Sequence, residues 1–288
     1  MKYSDENFIG IFDSGFGGIS VLNRLLSLMP YENYVYYADS GHFPYGKKSK
    51  SELVSIGKEI ISKFQNKNAK AVVIACNTMS TSDMPGFVDT FPKLKIIGTF
   101  PNFAHIFKPG QVLSSNDITY SKEDGLQIKR DRKKLLIIAT TATCKSEYLT
   151  TLINNIKNLL SIYIEPTDFI ARAVENNELE SFDFKNKLSN LFKDYLDIDY
   201  LLLGCTHFPF AISQIREIVG DKVNISSSGD IAADECYKYL SDNKIVSNNL
   251  SPYIKVVDVN IDDDKIKLYN QLINLKGKSQ NIEFIKSI

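Results

Sequence analysis

Short, continuous apolar runs alternate along this chain with longer segments of helical period, and that alternation restricts the fold more than any other feature. The strand-like runs are Phe8–Phe12, Tyr34–Ala38, Ala71–Ala75, Lys95–Thr99, Leu135–Ala139, Ser161–Ile164, Tyr200–Gly204, Lys222–Ser226 and Tyr253–Val257. The clearest helical stretches are Ser51–Gln65, Tyr148–Leu160, Asp168–Asn176, Phe184–Tyr195 and Gly229–Ser241. Ser49 followed by Glu52 has the S-x-x-E form of a capping box, so a helix is expected to start there. Strands that are apolar throughout need cover on both faces, and intervening helices connect parallel strands. The expected class is α/β, with mainly parallel sheets between layers of helices.

In such sheets ligands bind at the carboxyl ends of the strands. Small polar residues gather at four such ends. IGIF runs into Asp13-Ser14-Gly15, VVIA into Cys76-Asn77-Thr78, LIIA into Thr140-Thr141-Ala142-Thr143, and LLLG into Cys205-Thr206-His207. The step from Cys76 to Cys205 nearly equals the step from Ile9 to Leu136, which suggests two similar three-layer α/β halves with a site in the cleft between them. Residues 1–100 plus 212–288 are expected to form a first, discontinuous domain, and residues 101–211 a second. The first linker is expected near Phe100–Pro109. The polar segment from Gln111 to Lys134 reads as a solvated loop or hairpin.

The 288 residues carry 34 Lys+Arg and 34 Asp+Glu, so the net charge is zero and gives no electrostatic case for nucleic-acid or membrane binding. No apolar run approaches the ~18 residues of a membrane span, and MKYSDENFIG lacks a secretory stretch. The expected location is the cytoplasm. The four cysteines, Cys76, Cys144, Cys205 and Cys236, form no CxxC pair and are read as reduced thiols.

A free cysteine often packs as a small hydrophobe, and Cys144 and Cys236 have only that reading. Cys76 and Cys205 each end a strand ahead of hydrogen-bonding residues, with His207 two positions after Cys205. An unperturbed thiol is about 3% thiolate at pH 7. A nearby imidazolium or helix N-terminus raises that fraction, and both strand ends are expected to enter helix N-termini. Two such thiols suit an exchange of hydrogen on opposite faces of one carbon, where one acts as base and the other as acid.

Asp13-Ser14-Gly15 with Gly17-Gly18 permits a tight turn and close backbone approach. It is neither the dinucleotide fingerprint, since Ser20 stands at the third glycine position, nor a P-loop. Its N–H groups at a helix start favour a carboxylate or other anion; as a plain βα turn it needs no ligand. Pro44-Tyr45-Gly46 is a turn, and Ser14, Asn77, Thr78 and Thr206 are ordinary strand-end residues that could also bind a small dicarboxylate. His207 and Cys205, with His42 and Asp13, could ligate zinc, but no CxxC or HxxxH pair supports it. A pyridoxal enzyme needs a Schiff-base lysine, and none stands in these motifs, although Lys47 is near the Tyr45 turn.

IGIFDSGFGGISVL, YADSGHFPYGKKS, VVIACNTMST, ATTATCKS and LLLGCTHFP resemble, in order and spacing, the motifs of the glutamate racemase family within the aspartate/glutamate racemase superfamily. The resemblance spans roughly Ile9 to Glu235; from Tyr253 to Phe284 only a closing strand–helix–strand pattern is similar. It implies a cofactor-independent isomerase that interconverts L- and D-glutamate, is homodimeric in many members and supplies D-glutamate for peptidoglycan. It implies that Cys76 removes the α-proton from D-glutamate and that Cys205 acts on L-glutamate. Asp13 and His207 would assist the thiols, and Glu175, in ARAVENNEL, would stand near the second one. Ser14, Tyr45, Gly46, Asn77, Thr78 and Thr206 would bind substrate. The chain departs from the family in a longer stretch before Leu135, in a PNFAHIF segment without its usual acidic residue, and in Met79 after CNT. Alternatives that stay open are a racemase for aspartate or another amino acid, a secondary binding role such as gyrase inhibition, and a zinc-binding protein.

Overall fold

The computed structural model describes residues 7–102, 118–121, 125–128, 132–275 and 280–286, and every expected strand run falls on a strand. The first half contains β1 (Ile9–Asp13), α1 (Ile19–Leu28), β2 (Tyr34–Ala38), α2 (Lys50–Asn66), β3 (Ala71–Ile74), α3 (Asn77–Thr90) and β4 (Lys95–Gly98). A hairpin of β5 (Ile118–Ser121) and β6 (Gly125–Ile128) follows. Then come β7 (Lys134–Ala139), α4 (Thr141–Cys144), α5 (Glu147–Ile156), β8 (Ser161–Pro166), α6 (Phe169–Glu175), α7 (Phe182–Phe192), β9 (Tyr200–Gly204), α8 (Ile212–Val219) and β10 (Asn224–Ser227). The chain ends with α9 (Ser228–Asp242), β11 (Tyr253–Asp258), α10 (Asp263–Leu272) and β12 (Asn281–Ile285). The capping box at the start of α2 is formed in both directions: Glu52 N–H donates to Ser49 Oγ at 3.3 Å and Ser49 N–H to Glu52 Oε2 at 2.8 Å.

Two parallel sheets result, ordered β12-β11-β2-β1-β3-β4 and β10-β9-β7-β8. Within them β2-β1-β3-β4 and β8-β7-β9-β10 share one order, so the sequence repeat is a repeat of topology. Because side chains alternate across a strand, Ile9, Ile11, Val73 and Tyr36 join a core on one face of the first sheet. Phe12, Val35, Val72 and Ile74 join a second core on the other. In the second sheet Leu136, Ile138, Leu201 and Leu203 face one core and Leu135, Ile137 and Leu202 the other. Both faces of each sheet are thus buried, which is why the strands read as unbroken apolar runs. Cys236 is fully buried in the first of these cores, and Cys144 is half-buried against the last.

The expected domain boundary at residue 211/212 does not coincide with a sheet boundary. α8 places Ile215 and Val219 in the core of the second half, and β10 is hydrogen-bonded to β9. The chain returns to the first half only in α9, which packs on α1. The reason is that a parallel β9–β10 pair needs its crossover helix, so α8 cannot be separated from the second sheet. The β5–β6 hairpin lies in the polar segment; the rest of that segment up to residue 131, and PNFAHIF beyond Asn102, lie outside the described residues. Among the described residues no helix is long and apolar enough to cross a membrane.

Candidate active site

Strand register brings the key ends together. Phe12 pairs with Ile74, so Asp13 and Cys76 leave the first sheet at the same edge; Ala139 pairs with Gly204, which sets Thr140 beside Cys205. Cys76 is the N-cap residue of α3, as expected. Cys205 is not at an α-helix N-terminus: Phe208 N–H reaches back to its carbonyl at 3.1 Å, and a 3₁₀ turn over Phe208–Ala211 precedes α8. The positive group beside the second thiol is instead His207, whose Nδ1 lies 3.7 Å from Cys205 Sγ.

His207 is clamped from its other side. Its Nε2–H donates to Glu175 Oε1 at 2.7 Å, and the same oxygen accepts from Phe16 N–H at 2.6 Å. The anion gathered by the FDSGFGG turn is therefore the protein's own carboxylate, brought from α6. Two glycines permit this contact. A Cβ on Gly15 would sit 2.1 Å from Glu175 Oε1, and one on Gly17 would sit 2.2 Å from His207 Nδ1 and 2.7 Å from Asp13 Oδ2. Only residues without a side chain allow the two halves to approach this closely.

Asp13 is wholly buried. Its Oδ1 accepts from Ser14 N–H at 2.7 Å and its Oδ2 from Thr206 Oγ1 at 3.2 Å. Tyr45 donates its hydroxyl to Asp39 Oδ2 at 2.7 Å, and His42 Nδ1 donates to the same carboxylate at 2.9 Å, which pins the Pro44–Gly46 turn. Asn77 Nδ2 donates to Ser228 Oγ at 2.9 Å, so the first residue of α3 is tied to the first of α9. Thr78 Oγ1 lies 3.2 Å from Thr140 Oγ1, bridging the halves again. A cavity of about 280 Å³ is bordered by all of the sequence-expected site residues except Glu175, which stands behind His207. A groove of about 940 Å³ adjoins it across Thr78 and Ala142 but contains neither thiol.

Charge is distributed unevenly between the two sulfurs. Burial and then the Asp13 carboxylate push the Cys76 thiol well above its ordinary range, with a lesser contribution from Cys205. Burial also raises Asp13, against the opposing influence of His207. For His207, burial favours the neutral ring, but its bonds to Cys205 and Glu175 prevail and hold the imidazole well above the usual histidine range. At neutral pH the site thus pairs a protonated Cys76 with a sulfur, Cys205, that faces an imidazolium. Glu175→Gln keeps an acceptor for Phe16 N–H but removes the charge that retains the His207 proton. Its expected effect is a shift of the high-pH limb of kcat/KM to lower pH, with about a tenfold loss above neutrality. Paired pH–rate profiles of the two proteins measure this; a limb that stays in place would show that Glu175 does not hold that proton.

Sequence reading put Thr140 and Thr141 at a strand end and Lys47 beside the Tyr45 turn without giving them a role, and did not single out Asp168 or Arg172; all five also border the cavity. Thr141 N–H and Oγ1 both donate to Asp168, at 3.2 and 2.7 Å. The spacing of residues 168, 172 and 175 puts them on one face of α6, a signal that was present once Glu175 was considered. Among the described residues no group of three or more His, Cys, Asp or Glu side chains is arranged to hold a metal ion.

No protein-family model matches the chain. Among curated proteins it is similar to glutamate racemase of Clostridium perfringens, with 32% identity over 271 residues that cover 93% of this chain and 96% of the relative. It is also similar to glutamate racemase 1 of Caldanaerobacter subterraneus, with 30% identity over 270 residues and 93% of each chain covered. Among solved structures, that of glutamate racemase from Francisella tularensis in complex with D-glutamate superposes with a TM-score of 0.77 at 21% identity, covering 99% of this chain and 98% of that one.

Proposed function

The chain belongs to the glutamate racemase family, and from that premise we propose that Cys76 and Cys205 carry its reaction as two opposed acid/base thiols. The reaction is the interconversion of L- and D-glutamate, an isomerisation; the family implies that the D-glutamate serves peptidoglycan synthesis. The observation that carries the two-thiol reading is that both sulfurs border one cavity, each following the equivalent strand of its sheet.

In the L-to-D direction, the Cys205 thiolate takes the α-proton of L-glutamate, forming S–H as the Cα–H electron pair stays on carbon. The Cys76 thiol gives its proton to the opposite face of that carbon and becomes thiolate. The enzyme is left with its two protonation states exchanged, ready for D-glutamate, and returns by proton exchange with water. The uneven charge supports these roles. Asp13 beside Cys76 keeps a proton on that sulfur until the carbon accepts it, and His207, backed by Glu175, neutralises charge at Cys205. Ser14, Tyr45, Gly46, Asn77, Thr78 and Thr206 form the polar wall that holds the amino acid. We propose a cytoplasmic homodimer as the working form, in reducing surroundings that keep both thiols free.

The test is incubation with L-glutamate in heavy water, with no cofactor added. Loss of circular dichroism with deuterium appearing at Cα is the expected result, with much slower turnover of aspartate. Racemisation that retains the original α-hydrogen, or faster turnover of aspartate, would refute the reading.

A further inference from the structure

Glutamate carries two carboxylates into a cavity whose walls already hold carboxylates. Asp13 and Asp168 line it, and Glu175 stands behind His207. Ser14, Asn77, Thr78 and Thr206 offer hydrogen bonds but no charge. His207 lies between Cys205 and Glu175 and is engaged with both. Among the described residues, the other cationic side chains on the cavity lining are Lys47 and Arg172.

These two come from opposite halves of the molecule. Lys47 ends the turn that carries Tyr45 and Gly46, and Arg172 lies on α6 between Asp168 and Glu175. Both are exposed, at the rim, whereas Asp13, Cys76 and Cys205 are buried. Asp168 stands one helical turn before Arg172, but its carboxylate already accepts two hydrogen bonds from Thr141. Neither Lys47 nor Arg172 forms an ion pair with a described residue. Among the described residues, two cations thus stand without an ion-pair partner at the mouth of a cavity that must admit an anion.

Substrate geometry decides which carboxylate meets them. The inference rests here on the preceding reading that Cα lies between the two thiols. The amino group and the α-carboxylate, bonded directly to Cα, then stay among the buried donors. The distal carboxylate, separated by a two-methylene arm, extends toward the rim. We propose that Arg172, with Lys47 opposite, is the counter-charge of the side-chain carboxylate and selects a dicarboxylic amino acid over an apolar one. A guanidinium offers paired N–H donors that match a carboxylate, which a lysine ammonium matches less well.

The experiment compares the wild-type protein, Arg172→Ala and Arg172→Lys. Probes are glutarate, which keeps both carboxylates, and norvaline, which is glutamate with a methyl in place of the distal carboxylate. Inhibition constants are measured for both, and KM and kcat for L-glutamate. Arg172→Ala is expected to weaken glutarate about 10-fold while norvaline changes less than about twofold. KM for glutamate should rise more than kcat falls, and added salt should raise KM less steeply than in wild type. Arg172→Lys should recover part of the glutarate affinity. Equal weakening of glutarate and norvaline, or no change in either, would overturn the proposal. Glutarate binding needs no proton transfer, so the two failures are told apart: wild-type protein that binds glutarate yet fails to exchange the α-hydrogen would count against the two-thiol reading, whereas normal exchange with unchanged glutarate affinity in Arg172→Ala would overturn the counter-charge alone.

Discussion

Replacing either Cys76 or Cys205 with Ala is expected to lower racemisation by about 100- to 10,000-fold in both directions, the range over which a positioned acid or base acts. Each turnover needs one sulfur to accept a hydrogen and the other to donate one, so losing either stops the cycle whichever isomer is supplied. The two losses should not add: the double variant should be about as slow as either single one, because the thiols act as a unit. Both cysteines are buried, at 7% and 6% exposure, but replacing S–H by hydrogen removes a single heavy atom, so the folded state should persist. Circular dichroism of the backbone checks folding, and polarimetry from each isomer checks activity. A single variant with near-normal rates from both isomers would end the two-thiol assignment.

The second large effect concerns stability and arises far from the chemistry. Lys70 precedes β3 and Glu32 precedes β2, at the strand ends opposite the site. Lys70 is 3% and Glu32 0% exposed, and Nζ lies 2.7 Å from Oε2. Lys70 also donates to Ile245 O at 3.1 Å, and Ser247 N–H donates to Glu32 Oε1 at 2.6 Å, so the pair pins the segment after α9 beneath the sheet. Lys70→Met keeps the length of the side chain but leaves a carboxylate buried without its counter-ion. The expected cost is about 3–5 kcal/mol, since breaking one partner of a buried pair is far worse than removing both. The melting temperature should fall by roughly 10 °C. Adding Glu32→Gln should restore most of the loss. Urea and thermal unfolding of the wild type and the two variants measure this; a Lys70→Met protein as stable as wild type would show that the pair is not coupled to folding.

How much of this was legible beforehand differs between elements. Each expected strand run is a strand, because a strand covered on both faces needs apolar residues throughout. The start of α2 was legible because a capping box is written in residues three apart. β12 was less distinct: it lies at the sheet edge with its side chains only partly buried, so it need not be apolar throughout. α3 was obscured by Pro85 and by the non-helical Asp83. The second half's true extent was hidden because α8 and β10 look like any helix and strand until pairing with β9 is known.

By itself, the sequence settled the two parallel-sheet halves and the placing of small polar residues and thiols at strand ends, since periodicity and strand ends are written in neighbouring residues. It could mark Glu175 by resemblance but could not say what the carboxylate touches. Only the tertiary structure decided that Glu175 crosses to Phe16 N–H and to His207, that Gly15 and Gly17 are bare to admit them, and that Arg172 reaches the rim. The physical reason is separation along the chain: Phe16 and Glu175 are 159 positions apart. Their contact is set by how two sheets, each buried on both faces, pack against one another, and no local pattern of residues carries that information.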